Sequence, residues 1–112
     1  MTLLTTQQIS RAGVTPAYTA VTASDTFAPG SQTFIHVKNA GASPDTCVIQ
    51  VLQGDPAGLT VADVSVSVTN AQERMIGPLP QYFFADPVTG LGTVTHGFTT
   101  SVTSGIFQVS QP

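Results

Sequence analysis

Two runs of β-branched and apolar side chains, Thr33-Phe34-Ile35-His36-Val37-Lys38-Asn39 and Thr46-Cys47-Val48-Ile49-Gln50-Val51-Leu52, stand either side of a connection made of small residues and Pro44. Successive side chains of a strand point to opposite faces, so Ile35 and Val37 share one face while Phe34, His36 and Lys38 share the other. The pattern predicts an antiparallel hairpin with Ile35 and Val37 towards the core, forming the centre of an all-β domain.

The rest of the chain repeats the same grammar. Val64-Ser65-Val66-Ser67-Val68 alternates strictly, with valine towards a core and serine towards solvent. Glu73-Arg74-Met75-Ile76 reads as a strand halted by Gly77-Pro78-Leu79-Pro80, whose prolines cannot donate to a central ladder. Strands are also expected over residues 14–21, with Pro16 confining that one to an edge, and over residues 59–63, 91–96, 98–102 and 106–109. Residues 24–31, 54–58 and 86–90 carry turn chemistry, with Phe27 as a plug. About eight short strands at this spacing predict a single antiparallel β-sandwich, Ig-like or jelly-roll-like, over residues 14–112. Residues 1–13 are expected to form an arm: Thr5 and Thr6 before Gln7-Gln8-Ile9-Ser10-Arg11-Ala12 and then Gly13 fit a cap, about two helical turns and a stop. So short a helix needs Leu4 and Ile9 to dock on something.

With 112 residues the chain has the size of one domain. Charged residues make up only 8% of it, against roughly 25% in an average soluble protein. A surface of hydroxyls and amides suits packing against neighbours, where desolvating lysine or glutamate is costly. The net charge of -3, with Arg11, Lys38 and Arg74 as the cations, argues against nucleic acid, because few counterions would be released from a phosphate backbone. The first residues lack the basic start and apolar middle of a signal peptide, and no apolar run approaches the length of a bilayer span. No membrane partner is expected, and synthesis in the cytoplasm is.

Catalytic chemistry finds no constellation here. Cys47 lies in an apolar strand pattern without a partner for a disulfide and reads as a small core side chain. His36 and His96 sit in alternating strands with no third ligand at a metal-binding spacing. An enzyme would need the two histidines to converge with an aspartate. Asp25, Asp45, Asp55, Asp63 and Asp86 occupy turn-like or strand-joining positions where local backbone bonding explains most of them. Phosphate-cradling glycines, a nucleophile elbow and a metalloprotease pair are all absent from the sequence. The expectation is a non-enzyme with no cofactor and no metal.

What remains is contact chemistry. Arg74, Met75, Leu79, Tyr82, Phe83 and Phe84 combine the side chains favoured at interface hot spots around a proline-bent segment. Leu3, Leu4, Ile9 and Arg11 supply a second set on the arm. Tyr82 and Phe84 also fit a role capping the core.

Gln8-Ile9-Ser10-Arg11-Ala12-Gly13-Val14-Thr15-Pro16-Ala17-Tyr18, Asp25-Thr26-Phe27, Phe34-Ile35-His36-Val37-Lys38-Asn39-Ala40-Gly41-Ala42-Ser43 and Glu73-Arg74-Met75-Ile76-Gly77-Pro78-Leu79-Pro80 follow one another over nearly the whole chain. In that order they resemble a family of small structural proteins encoded in the head-gene region of tailed bacteriophages, similar to capsid decoration or cement proteins. The resemblance implies a virion protein on the capsid exterior. Its partner would be the phage major capsid protein, at junctions between subunits whose threefold symmetry suits a homotrimer. Tyr82-Phe83-Phe84 and residues 104–112 match none of these motifs. A receptor- or carbohydrate-binding module on a tail or fibre, and a component of the head-tail neck, are the alternative readings.

Overall fold

The structure, a computed structural model, describes residues 2–51 and 62–109. The turn expected over residues 54–58, most of the strand expected over 59–63, and the chain end from Ser110 lie outside the described residues. Among the described residues ten strands and one helical turn follow in order: β1 (Thr2–Leu3), β2 (Thr6–Ile9), β3 (Thr19–Ala20), β4 (Ser24–Phe27), β5 (Thr33–Asn39), β6 (Asp45–Ile49), β7 (Val64–Val68), β8 (Gln72–Ile76), α1 (Gln81–Phe84), β9 (Gly92–His96) and β10 (Val102–Val109). One sheet runs β1-β4-β9-β6-β7; the other runs β2-β10-β5-β8, with β3 also paired to β10. Phe27, Ile49 and Val94 from the first sheet and Ile35, Val37 and Ile106 from the second belong to one buried cluster. The chain is thus all-β with two antiparallel-rich sheets around a shared core, an arrangement compatible with a β-sandwich.

The predicted hairpin does not form. β5 pairs with β10 and β8, whereas β6 pairs with β9 and β7 in the other sheet. Ile35 and Cys47 therefore belong to opposite sheets of one buried cluster rather than lying side by side. The connection over residues 40–44 is braced as a crossover by buried Asn39. Its amide donates to Ser43 O at 2.8 Å and to Val68 O at 2.9 Å, while its Oδ1 accepts from Gly41 N–H at 2.9 Å. Gly41 in turn lies so close to the loop before β10 that a Cβ there would sit 2.5 Å from Thr100 O. Partner choice for β5 is explained by facing side chains on β10, where Phe34 stands opposite Phe107 and Ile35 opposite Ile106.

The expected N-terminal helix is replaced by strands. β1 pairs in parallel with β4, and β2 in parallel with β10 over Thr6 to Ile9. A two-turn helix is marginal in water, while the open edge of β10 offers four residues of ladder and the core takes Leu4 at 5% exposure. Gly13 still ends the segment, at φ +88°, with its N–H bonded to Ser10 O. Elsewhere, residues 24–27 form β4 rather than a turn, and Phe27 fills the core as a fully buried side chain opposite Gly92. The strand expected over residues 14–21 shrinks to β3, and the one expected over 98–102 gives way to a turn before the long β10. β7 keeps its alternation, Ser65 and Ser67 being exposed.

Candidate interaction surface

The outward face of the β2-β10-β5-β8 sheet carries aromatic side chains where a solvated sheet would carry polar ones. Alternation turns Ile35 and Val37 inward on β5, which leaves Phe34, His36 and Lys38 outside, opposite Phe107, Gly105 and Thr103 on β10. Met75 and Glu73 face out beside them on β8, opposite His36 and Lys38. Phe34 stacks on Phe107 with ring centroids 5.7 Å apart, and Phe107 meets Tyr18 at 5.8 Å. Tyr18 lies edge-on to His36 at 5.4 Å, with Lys38 Nζ 4.6 Å from its ring centroid.

A polar chain runs through this cluster. The Tyr18 hydroxyl lies 2.8 Å from His36 Nδ1, and His36 Nε2 lies 3.1 Å from Glu73 Oε1. Burial, and after it the Glu73 carboxylate, raise the Tyr18 phenol above its ordinary pKa. A carboxylate only accepts, so Nε2 carries the hydrogen donated to Glu73, and in the neutral ring Nδ1 then accepts from the Tyr18 hydroxyl. All three groups are spent on holding one another, so His36 serves as a bracket for the aromatic layer.

Two clefts adjoin on this face. One of about 450 Å³ is lined by Phe34, Met75, Gly77, Pro78 and Val109 among others; a second of about 300 Å³ takes in Ile9, Val14, Tyr18 and Phe107 and shares Phe34 and Met75 with the first. Met75 is 67% exposed and Val109 48%. Gly77 makes the first cleft tight at its base, since a Cβ there would lie 2.5 Å from Phe34 Cβ. Beside the clefts, the edge of β8 that pairs with no strand among the described residues is covered by its own arginine. Arg74 folds back to donate to Glu73 O at 2.9 Å and Gln72 Oε1 at 2.8 Å, which blunts the edge as a template for another strand. The geometry favours contact through the face over contact through the edge.

Of the residues singled out from sequence, Ile9 and Met75 meet in the second cleft. Leu4, Leu79 and Phe84 are core, at 5%, 1% and 5% exposure, and Phe83 packs against that core. Tyr82 is exposed on α1, beside a separate polar cleft that Pro29, Gln81 and Gln108 also line. Leu3 is exposed next to β4, and Arg11 is exposed in the turn after β2. Sequence reasoning does not mark Phe34, Tyr18 and Val109 as surface, nor Phe107 as the ring buried beneath them at 4% exposure. Their signal is the apolar residue on both faces of β5 and β10, which alternation alone assigns to a buried strand.

The two histidines do not converge. His96, on the inward face of β9, has a side chain wholly out of solvent, and its Nδ1 lies 2.7 Å from Asp45 Oδ2. Asp45 Oδ1 accepts from Phe98 N–H at 3.1 Å. Asp45 thus differs from the local turn role expected of it, which Asp86 does fill by accepting from Val88 N–H; Asp25 accepts locally from Thr22 N–H, but from within β4. Opposite His96 stands Cys47, whose thiol is pushed up to about 12 by burial and then by Asp45. It stays protonated at neutral pH and is a core side chain rather than a nucleophile. Among the described residues no group of three His, Cys, Asp or Glu side chains is placed to hold a metal ion.

A two-sheet, all-β domain with an aromatic outer face is therefore the class to which fold and surface belong. Comparison with protein-family models, with curated proteins and with solved structures returned no match.

Proposed function

We propose that the protein is a structural virion protein that binds the outside of a phage capsid and stabilises it, and that it docks through the outward face of the β2-β10-β5-β8 sheet. The observation that carries the reading is the pair of adjoining clefts around Phe34 and Met75, apolar side chains left in solvent on a chain with few charges. The phage part rests on the resemblance of residues 8–18, 25–27, 34–43 and 73–80 to small head proteins. Docking on the major capsid protein would bury a modest area per copy, and repetition over a lattice multiplies the effect. In finer detail we read the sheets as an Ig-like sandwich. The N-terminal segment divided between both sheets and the crossover in place of a β5–β6 hairpin support that choice.

The test is co-sedimentation with tailed-phage heads lacking the protein. Met75→Asp places a charge in both clefts and should raise the apparent Kd at least tenfold, since burying an unpaired carboxylate costs more than about 1.4 kcal/mol. The variant should fold as the parent does, because Met75 is mostly exposed. Undiminished pelleting of Met75→Asp would refute docking through this face. Failure of the parent protein to bind any such head would refute the capsid reading.

A further inference from the structure

Alternation along β5 and β10 turns Ile35, Val37 and Ile106 towards the core, and it turns Gln108 to the same side. Thr6 stands beside Ile106 on β2. The inner face of this sheet therefore becomes polar where its strands run past the buried cluster, and a polar residue at a core-facing position weakens a fold unless it has a functional role. Over that polar end lies a cleft of about 610 Å³, with Thr6 and Gln108 on the sheet side and Ser31, Gln81 and Tyr82 on the side of the β4–β5 loop and α1. Tyr82 is 66% exposed, and its ring rests against Phe83 with centroids 4.4 Å apart, Phe83 itself being packed on the core. An aromatic ring held from behind and open to solvent in front thus adjoins a cleft furnished with amides and hydroxyls.

We propose that this cleft is a binding site for a neutral sugar, with the Tyr82 ring against the apolar face of a pyranose and the Gln81 and Gln108 amides on its hydroxyls. Size, charge and polarity set the class. Small-molecule sites run from about 300 to 1,000 Å³, and this cleft lies within that range. No carboxylate, amine, guanidinium or imidazole lines it, so an ionic ligand would lose hydration without gaining a counter-charge. A primary amide both donates and accepts, which suits neighbouring hydroxyls that do the same, and tyrosine offers an apolar ring with a polar tip. The cleft opens on the inner side of the strand ends, whereas the clefts around Phe34 and Met75 lie on the outer face. Sugar binding therefore stands or falls apart from capsid docking.

The methyl glycosides of glucose, galactose, mannose and N-acetylglucosamine, with glucuronate as a charged probe, test this by titration of the backbone amide resonances of the full chain. At least one of the four glycosides should produce saturable shifts centred on Gln81, Tyr82 and Gln108, and glucuronate none. Tyr82→Ala, at a mostly exposed position that the fold does not need, should weaken that binding roughly three- to tenfold. Gln108→Leu should weaken it by a similar factor while melting no lower than the parent, because an apolar side chain suits the core-facing position. The proposal is overturned if none of the four glycosides gives a saturable shift there, if glucuronate matches the best of them, or if both variants bind as the parent does.

Discussion

Replacing Asp45 or His96 should cost more stability than any other pair of polar substitutions in the domain. Both side chains are fully out of solvent, 2.7 Å apart. Asp45→Leu leaves two donors, His96 Nδ1–H and Phe98 N–H, with no acceptor. His96→Phe leaves a buried carboxylate held by the Phe98 amide alone. Breaking a buried pair from one side costs about 3–5 kcal/mol, mostly as the penalty on the group left behind. Asp45→Leu/His96→Phe removes both polar groups and strands only the amide, for about 1–3 kcal/mol. The double variant should therefore be at least as stable as either single one, the reverse of additivity. Urea unfolding monitored by tyrosine fluorescence and far-ultraviolet circular dichroism reads all four proteins. With about 4 °C per kcal/mol for a domain of this size, each single variant should melt about 12–20 °C lower. Single variants that lose under about 1 kcal/mol, or a double variant that loses the sum of the two, would refute the buried pair.

Two further outcomes follow from the core. Because burial raises the Cys47 thiol from its ordinary value near 9 to about 12, the unfolded chain gives up this proton first. Its contribution to stability is complete well below pH 9 and falls by at most about 1.4 kcal/mol per pH unit between there and pH 12. Cys47→Ala should flatten that alkaline slope, and an unchanged slope would contradict the shift. Leu4→Ala should cost about 2–4 kcal/mol, since this side chain is core and its N–H bonds Thr26 O at 2.7 Å. A free arm would show under about 0.5 kcal/mol by the same urea measurement.

Strand identity was legible wherever one face is polar. β7 and β9 could be read from valine and serine or threonine at alternate positions, and β8 from its boundary at Gly77-Pro78. Partners were not legible, because a period of two states which face is inward and nothing about which strand lies alongside. The β5–β6 crossover is the clearest case, decided by Asn39 and Gly41 through contacts with Val68 and Thr100 far along the chain. The N-terminal segment misleads for a related reason: local cap and stop signals describe a helix, and the edge of β10 overrides them. At the candidate surface Met75 and Ile9 could be picked out by type. Phe34 and Phe107 could not, since an aromatic residue on either face of an apolar strand looks the same before its layer is known. The Asp45–His96 pair spans 51 residues with no local motif at either end.

A cryo-EM reconstruction of a tailed-phage head bearing this protein would show directly which side of the domain meets the shell. Phe34, Met75, Pro78 and Val109 should lie buried against capsid subunits, with the β1-β4-β9-β6-β7 sheet turned to solvent. Density that places Met75 and Val109 in solvent while another face contacts the shell would contradict docking through the aromatic layer.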